Sequence, residues 1–589
     1  MKTRSIAAGA VAILAVVAIV LTVIGYYGTQ RKGPVPQTTA TSSSAPIPVQ
    51  SGSTQSYYEQ QISWGACAQG TFDSYQGVDS SDASEYQCAF LKAPLDWSNP
   101  DGDQITLALA IHRSGVESAP ALFINPGGPG GAVVSSLPYY AAQGIGEAIV
   151  KSYDIVALDP RGVGDSTPVF CMTDAEKDER NAGEDEDIDT GDESPQSAVA
   201  AAQEDSRTVA AGCREHSGSL FEHIDTVSAA RDFDMVRAVL GQETLNLLGY
   251  SYGTFLGATY AGLFPEHVGR FVLDGALDPT LSVNEVSALQ MRGLDASLQH
   301  WISDCATQST CPMGRSLDEG IQTVRSFLDS LEDSPMSTHD PARPLTENLA
   351  VTALTGAMYN TQWWPQLTQA FGMAWQKGDG SGLLAIADTL NSRNPDGTYQ
   401  DNSTDAINAI NNLDYTPEGN IDQWAAQVAT LKSELPILGK YVGYPSAALE
   451  AWPTKHAKRS RITAQGAAPI VVIGTTHDPA TTYSMAQGLS GQLSSGVLVT
   501  VEGWNHTAYR RGANQCVTRA VEDYFVKGTV PADGLMCQEG RDPRHPVVGC
   551  PGLRSARFVQ LSCAVACTPR KRWNGRRGRL ISVGRAIHS

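Results

Sequence analysis

Gly249-Tyr250-Ser251-Tyr252-Gly253 is the segment of this 589-residue chain best suited to chemistry. A serine hydroxyl is a poor nucleophile until a neighbouring base takes its proton, and it must stand free of its own backbone to attack. Glycines on either side of a serine permit a tight strand-to-helix turn that exposes the hydroxyl. The pentapeptide is short enough to recur by chance, so its surroundings decide. Leu245–Leu248 before it is a short apolar run of strand type. Thr254-Phe255-Leu256-Gly257-Ala258 after it continues as a helix with small residues for close packing.

A base and an orienting acid are expected downstream, in the order serine, acid, histidine. His506 lies just past the apolar run Val497–Val501, where a loop can carry an imidazole over the serine. Of the eleven histidines only His545 and His588 come later, both in an atypical tail. Asp478 follows the run 469–473 and would hold the imidazole tautomer. Asp274, at the end of 270–273, is the rival acid; because Asp274-Gly275 reads as structural, Asp478 is preferred. His477 reads as a loop residue. Negative charge developing on a carbonyl oxygen requires backbone N–H donors. Tyr252 supplies one, as the residue after the nucleophile. The loop Asn125-Pro126-Gly127-Gly128-Pro129-Gly130-Gly131 supplies the other, with Gly128 as the expected donor and Gly130 as its alternative.

The elements that must position these residues form an α/β pattern. Ile105–Ser114, Ala121–Asn125, Tyr153–Leu158, 245–248, 270–273, 469–473 and 497–501 are apolar, β-branched runs separated by helical spacing such as Asp232–Leu240. Such runs predict a mostly parallel sheet with helices on both faces. Residues 286–455 hold helical spacing and no sheet-like run, which predicts a mainly helical lid inserted into the core. The expected organisation is an N-terminal apolar segment (1–27), a Pro/Ser/Thr-rich linker (28–56), a core in two parts (57–285 and 456–540) around the lid, and a tail (541–589). That tail carries eleven Lys or Arg against one acid, and reads either as a basic tether or as the product of a reading-frame change.

With 42% hydrophobic and 18% charged residues the chain is globular, and its net charge of −20 excludes nucleic acid as a partner. The apolar run from Ile6 to Tyr27, behind Lys2 and Arg4, reads as a signal peptide or an uncleaved anchor. The membrane is expected to be met only there, with the body secreted or tethered outside the cytoplasm. Cys67/Cys88, Cys171/Cys213, Cys305/Cys311 and Cys516/Cys537 fall as neighbours, and no spacing suits zinc, so four sequential disulfides are expected. Cys550, Cys563 and Cys567 remain in the tail. The acidic run Glu184-Asp185-Glu186-Asp187 lacks the spacing of a calcium loop and reads as a solvated excursion. No metal and no cofactor is expected, and the protein is expected to be monomeric.

Three motifs in register carry a family resemblance: Pro126–Gly131, the run Asp159-Pro160-Arg161-Gly162-Val163-Gly164-Asp165-Ser166, and Gly249–Gly253. They resemble the proline iminopeptidase branch of the α/β-hydrolases. The body from about 60 to 540 is more similar to secreted tripeptidyl aminopeptidases of actinobacteria. Tyr86-Gln87-Cys88-Ala89, Pro94-Leu95-Asp96-Trp97 and Leu273-Asp274-Gly275 belong to the same likeness. The resemblance implies an α/β-hydrolase fold and cleavage of peptides near a free N-terminus through an acyl-enzyme. Ser251 attacks, His506 shuttles the proton and Asp478 orients it, while Asp159 and Arg161 support loops. Where the iminopeptidases show His before the double glycine, this chain has Asn125-Pro126, which favours the tripeptidyl relatives. The substrate ammonium calls for a carboxylate, with Glu285, Asp414 and Glu418 as candidates. Two other readings stand beside this one: a carboxylesterase using the same triad, and a non-catalytic binding protein on a hydrolase fold.

Overall fold

The computed structural model describes residues 54–72, 85–183, 194–457 and 459–538. The N-terminal apolar segment, nearly all of the linker, the acidic run 184–187, the basic tail and its three cysteines lie outside the described residues. Within them, no helix is long and apolar enough to cross a membrane.

Ten strands make one sheet: β1 (Gly65–Ala66), β2 (Tyr86–Pro94), β3 (Gln104–His112), β4 (Ala121–Asn125), β5 (Asp154–Leu158), β6 (Leu245–Tyr250), β7 (Val268–Asp274), β8 (Ile470–Thr475), β9 (Gly496–Val501) and β10 (Leu535–Cys537). Their spatial order is β1-β2-β3-β5-β4-β6-β7-β8-β9-β10. The first three strands pair antiparallel, and β3 meets β5 antiparallel. From β5 onward every neighbour is parallel. The central strands β4, β5, β6 and β8 are buried at every position, as a sheet covered on both faces requires. Sequence spacing alone did not identify β2 or β10. The first mixes buried, half-buried and exposed residues without a period and lies next to the edge strand β1, and the second is only three residues long.

Six helices bear on the site, labelled here α1 (Thr226–Val239), α2 (Tyr252–Leu263), α3 (Val283–Ala306), α4 (Ser403–Asp414), α5 (Tyr483–Gln492) and α6 (Gln515–Lys527). α1 and α2 contribute Phe233 and Leu256 to the core on one face of the sheet. α6 contributes Val517 and Phe525 to the core on the other. Between β7 and β8 the described chain is helical, with two isolated bridges and no strand. This stretch starts with α3 at Val283 and builds a core of its own around Leu298, Trp301, Phe327, Leu354 and Phe371. Four disulfides link Cys67 to Cys88, Cys171 to Cys213, Cys305 to Cys311 and Cys516 to Cys537.

Candidate active site

Ser251 sits between β6 and α2 with φ 53° and ψ −122°, a conformation that L-residues rarely adopt. Its neighbours explain how the turn is held. A Cβ on Gly249 would lie 2.5 Å from the Gly253 carbonyl oxygen, and one on Gly253 would lie 2.7 Å from both oxygens of Asn125. The Ser251 N–H donates to the Asp274 carbonyl at 2.9 Å, while Thr254 N–H and its hydroxyl both donate to the Ser251 carbonyl. Gly253→Ala therefore forces backbone apart at the turn. Its expected cost is about 1–3 kcal/mol of overpacking, read as a lower urea midpoint with an unchanged slope.

His506 and Asp478 meet from two loops, after β9 and β8. His506 Nδ1 lies 2.9 Å and 3.0 Å from the two carboxylate oxygens of Asp478. Asp478 is buried and also accepts from the N–H groups of Ala480 and Thr481, both at 2.9 Å, and from Thr507 at 3.2 Å. The Thr481 hydroxyl lies 3.3 Å from Asp478 and 3.4 Å from His506 Nδ1. With Nδ1 facing a carboxylate, the ring carries its proton there and leaves Nε2 as the basic nitrogen. Both Nε2 and Ser251 Oγ are buried without a hydrogen-bond partner. The two are not hydrogen-bonded to each other here, and catalytic bonds of this kind commonly form or tighten only when substrate binds. The rival Asp274 is equally buried but accepts from Ala508 and Tyr509, and Asp478 is the acid that faces the imidazole.

Two backbone segments converge over the serine. Tyr252 is the first residue of α2, where an N–H has no acceptor within its own helix. Gly127, at φ 100°, lies so close that a Cβ there would be 2.6 Å from the Tyr250 carbonyl and 3.1 Å from Tyr252 N. Its own N–H is taken by Asn125 Oδ1 at 3.0 Å, so the buried asparagine shapes the loop from within. Gly128 follows, also at positive φ, whereas Gly130 faces α4, where a Cβ would be 2.9 Å from the Ser403 carbonyl.

Asp159 and Arg161 stand behind these loops. Asp159 accepts from the N–H groups of Val133 (2.7 Å), Val134 (2.9 Å) and Asp165 (2.9 Å), tying the chain after the glycine loop to its own turn. Burial pushes its carboxyl up to about 7, against the pull of those N–H groups. Arg161, fully buried, grips Asp232 of α1 with two bonds of 2.7 Å and spends its remaining donors on the carbonyls of Pro94, Leu95 and His223.

The helical insertion touches the site on both sides. Asn402, preceding α4, donates to the carbonyls of Gly162 and Val169 and accepts from Gly164 N–H. On the other side, the His506 N–H donates to the Tyr359 carbonyl at 2.8 Å, with the Tyr359 ring edge-on to the imidazole. Asn505 Oδ1 accepts from Thr361 N–H (2.8 Å) and from its hydroxyl (3.0 Å). Trp504 is sandwiched between His300 of α3, at 3.9 Å, and the exposed His477, at 4.1 Å. None of these contacts between the insertion and the core has a local sequence signal, because each joins residues more than a hundred positions apart. Asn505→Ala removes an acceptor that holds the histidine loop against the insertion. A kcat lower by on the order of tenfold is expected, with Asn505→Asp restoring it because the carboxylate still accepts both bonds.

The three candidate carboxylates for an ammonium differ in burial and partners. Glu285 is exposed and caps α3 through Ser282, and Glu418 is exposed. Asp414 is buried at the end of α4, where it accepts from Thr226 N–H and hydroxyl, and burial pushes it up to about 7. Among the described residues, Asp329, Glu332 and Glu347 cluster closely enough to suggest a cation, but Lys440 Nζ lies 2.7 Å from both glutamates and fills that role.

Residues 120–510 match the alpha/beta hydrolase fold family. The chain is 33% identical over 468 residues to the serine protease Hip1 of Mycobacterium tuberculosis, covering 76% of this chain and 87% of that protein. It is 36% identical over 484 residues to carboxylesterase B of the same species, covering 81% and 90%. It is 28% identical over 472 residues to the tripeptidyl aminopeptidase of Streptomyces lividans, covering 78% and 84%.

Proposed function

Because the chain belongs to the alpha/beta hydrolase family and is a serine hydrolase, we propose that Ser251, His506 and Asp478 are its catalytic triad and that it releases short peptides from free N-termini. The observation that carries the triad is the Asp478–His506 pair, which leaves Nε2 as the base, while Nε2 and the Ser251 hydroxyl are both buried and unpartnered. His506 Nε2 takes the Ser251 proton as Oγ attacks the scissile carbonyl. The resulting oxyanion is held by the N–H groups of Tyr252 and Gly128. His506 then protonates the leaving amine, an ester links Ser251 to the released peptide, and water repeats the sequence to free the enzyme.

Support for an exopeptidase comes from the insertion, which we read as a lid over residues 286–455. It contacts the glycine loop at Gly130 and the base at Tyr359, so it covers the site from opposite sides. A covered site admits a chain end more readily than the middle of a folded chain. The serine protease and tripeptidyl aminopeptidase relatives agree with a peptide substrate. Four disulfides support an extracytoplasmic location. A carboxylesterase is the second reading, favoured by the carboxylesterase relative, by the exposure of Glu285 and Glu418 and by the engagement of Asp414 with Thr226.

Fluorogenic mono-, di- and tripeptides, free and N-acetylated, separate the two. A peptidase of this type cleaves the free tripeptide fastest and loses about 100-fold or more in kcat/KM when the amine is acylated, since a buried partner is left unpaired. Equal rates on free and acylated substrates, with faster turnover of simple esters, would establish the esterase instead.

A further inference from the structure

Asp274 ends β7 beside β6, and among the described residues it is the one bonded both to the nucleophile's backbone and to the loop that carries the base. Its carbonyl accepts the Ser251 N–H at 2.9 Å. Its fully buried carboxylate accepts the N–H of Tyr509 at 2.7 Å and that of Ala508 at 2.9 Å, three and two residues beyond His506. The next residue, Gly275, lies against the imidazole, where a Cβ would be 3.2 Å from His506 Cε1 and 2.9 Å from the Thr507 side chain. Two loops far apart in the sequence are thus referenced to one strand end.

We infer that Asp274 is a positioning residue for the Ser251–His506 pair: its main chain sets the serine turn and its carboxylate sets the histidine loop. This rests on the triad reading and is independent of whether peptides or esters are the substrate. The buried carboxylate stands near His506 and Asp478, with the Tyr250 phenol the other titratable group that burial has placed around it. Burial raises its pKa to about 7, the Ala508 and Tyr509 N–H groups and His506 oppose the rise, and Asp478 adds to it.

The test compares Asp274→Asn and Asp274→Ala in the full chain, measuring the second-order rate of fluorophosphonate labelling of Ser251 against pH, and kcat and KM on p-nitrophenyl acetate. Asn keeps an acceptor oxygen for the Ala508 and Tyr509 N–H groups and should label within about tenfold of the wild type. Ala frees the loop, and a shift of about 1 Å in the base is expected to slow labelling on the order of 100-fold with KM within threefold. A residue that only supports folding would lower the folded fraction equally at every pH. Labelling of Asp274→Ala within threefold of wild type overturns the inference. So does a folded Asn variant that labels on the order of 100-fold more slowly than the wild type, which keeps the test decisive if Ala fails to fold. Failure of wild-type Ser251 to label would overturn the triad and the inference together.

Discussion

Ser251→Ala is expected to lower kcat about 10⁶-fold while leaving KM within a few-fold. The alanine methyl fills the space of Cβ, and it removes the hydroxyl without disturbing the bonds that hold the turn. The Ser251 N–H still meets the Asp274 carbonyl, and the Ser251 carbonyl still accepts from Thr254. What disappears is the attacking atom, so the acyl-enzyme cannot form. Any residual rate would come from the oxyanion donors acting on water. Steady-state kinetics on an activated ester, with unfolding curves to show an intact fold, would check this. A loss of less than about 100-fold would mean that another nucleophile carries the chemistry.

Asp478→Asn should cost about 10⁴-fold in kcat, by reversing a tautomer. Asp478 Oδ1 accepts from two backbone donors, Ala480 and Thr481, so the amide oxygen of an asparagine is drawn to that place. The amide nitrogen then faces His506 Nδ1, which must accept a hydrogen bond and give up its proton. The proton moves to Nε2, and the ring can no longer take one from Ser251. The Ala480 and Thr481 donors stay satisfied while the Thr507 N–H loses its acceptor, so a stability loss of about 1–3 kcal/mol is expected beside the loss of kcat. Full activity in Asp478→Asn, with loss in Asp274→Asn, would exchange the roles assigned to the two aspartates.

The contrast between these two acids marks how far the sequence reaches. Asp478 and Asp274 both follow buried parallel strands, β8 and β7, and both are buried. Local pattern favoured Asp478 on the structural look of Asp274-Gly275, but the contact that separates them is set by how the 505–509 loop crosses two strand ends. Such a crossing has no local period. Ser251 was legible because its turn is made within five residues and depends on Gly249 and Gly253. Gly128 was readable only as part of a glycine loop, since Gly127, Gly128 and Gly130 all have positive φ and differ only in what they face. Tyr359, Asn402 and Asn505 were invisible for the same reason as Asp274's second role: their partners lie far along the chain. Glu285, by contrast, stands in a Ser-x-x-Glu capping box, a short-range signal for a helix start that fits its exposed place better than a substrate contact does.

The most direct test of the account traps the covalent intermediate. The protein would be mixed with an activated acyl ester, quenched in acid within the first turnover, and analysed by intact mass and peptide mapping. The account predicts one acyl group per chain, on the peptide containing Ser251, absent from Ser251→Ala and retained longer in His506→Ala if it forms at all. An acyl group on another residue, or hydrolysis at the wild-type rate by Ser251→Ala, would contradict it.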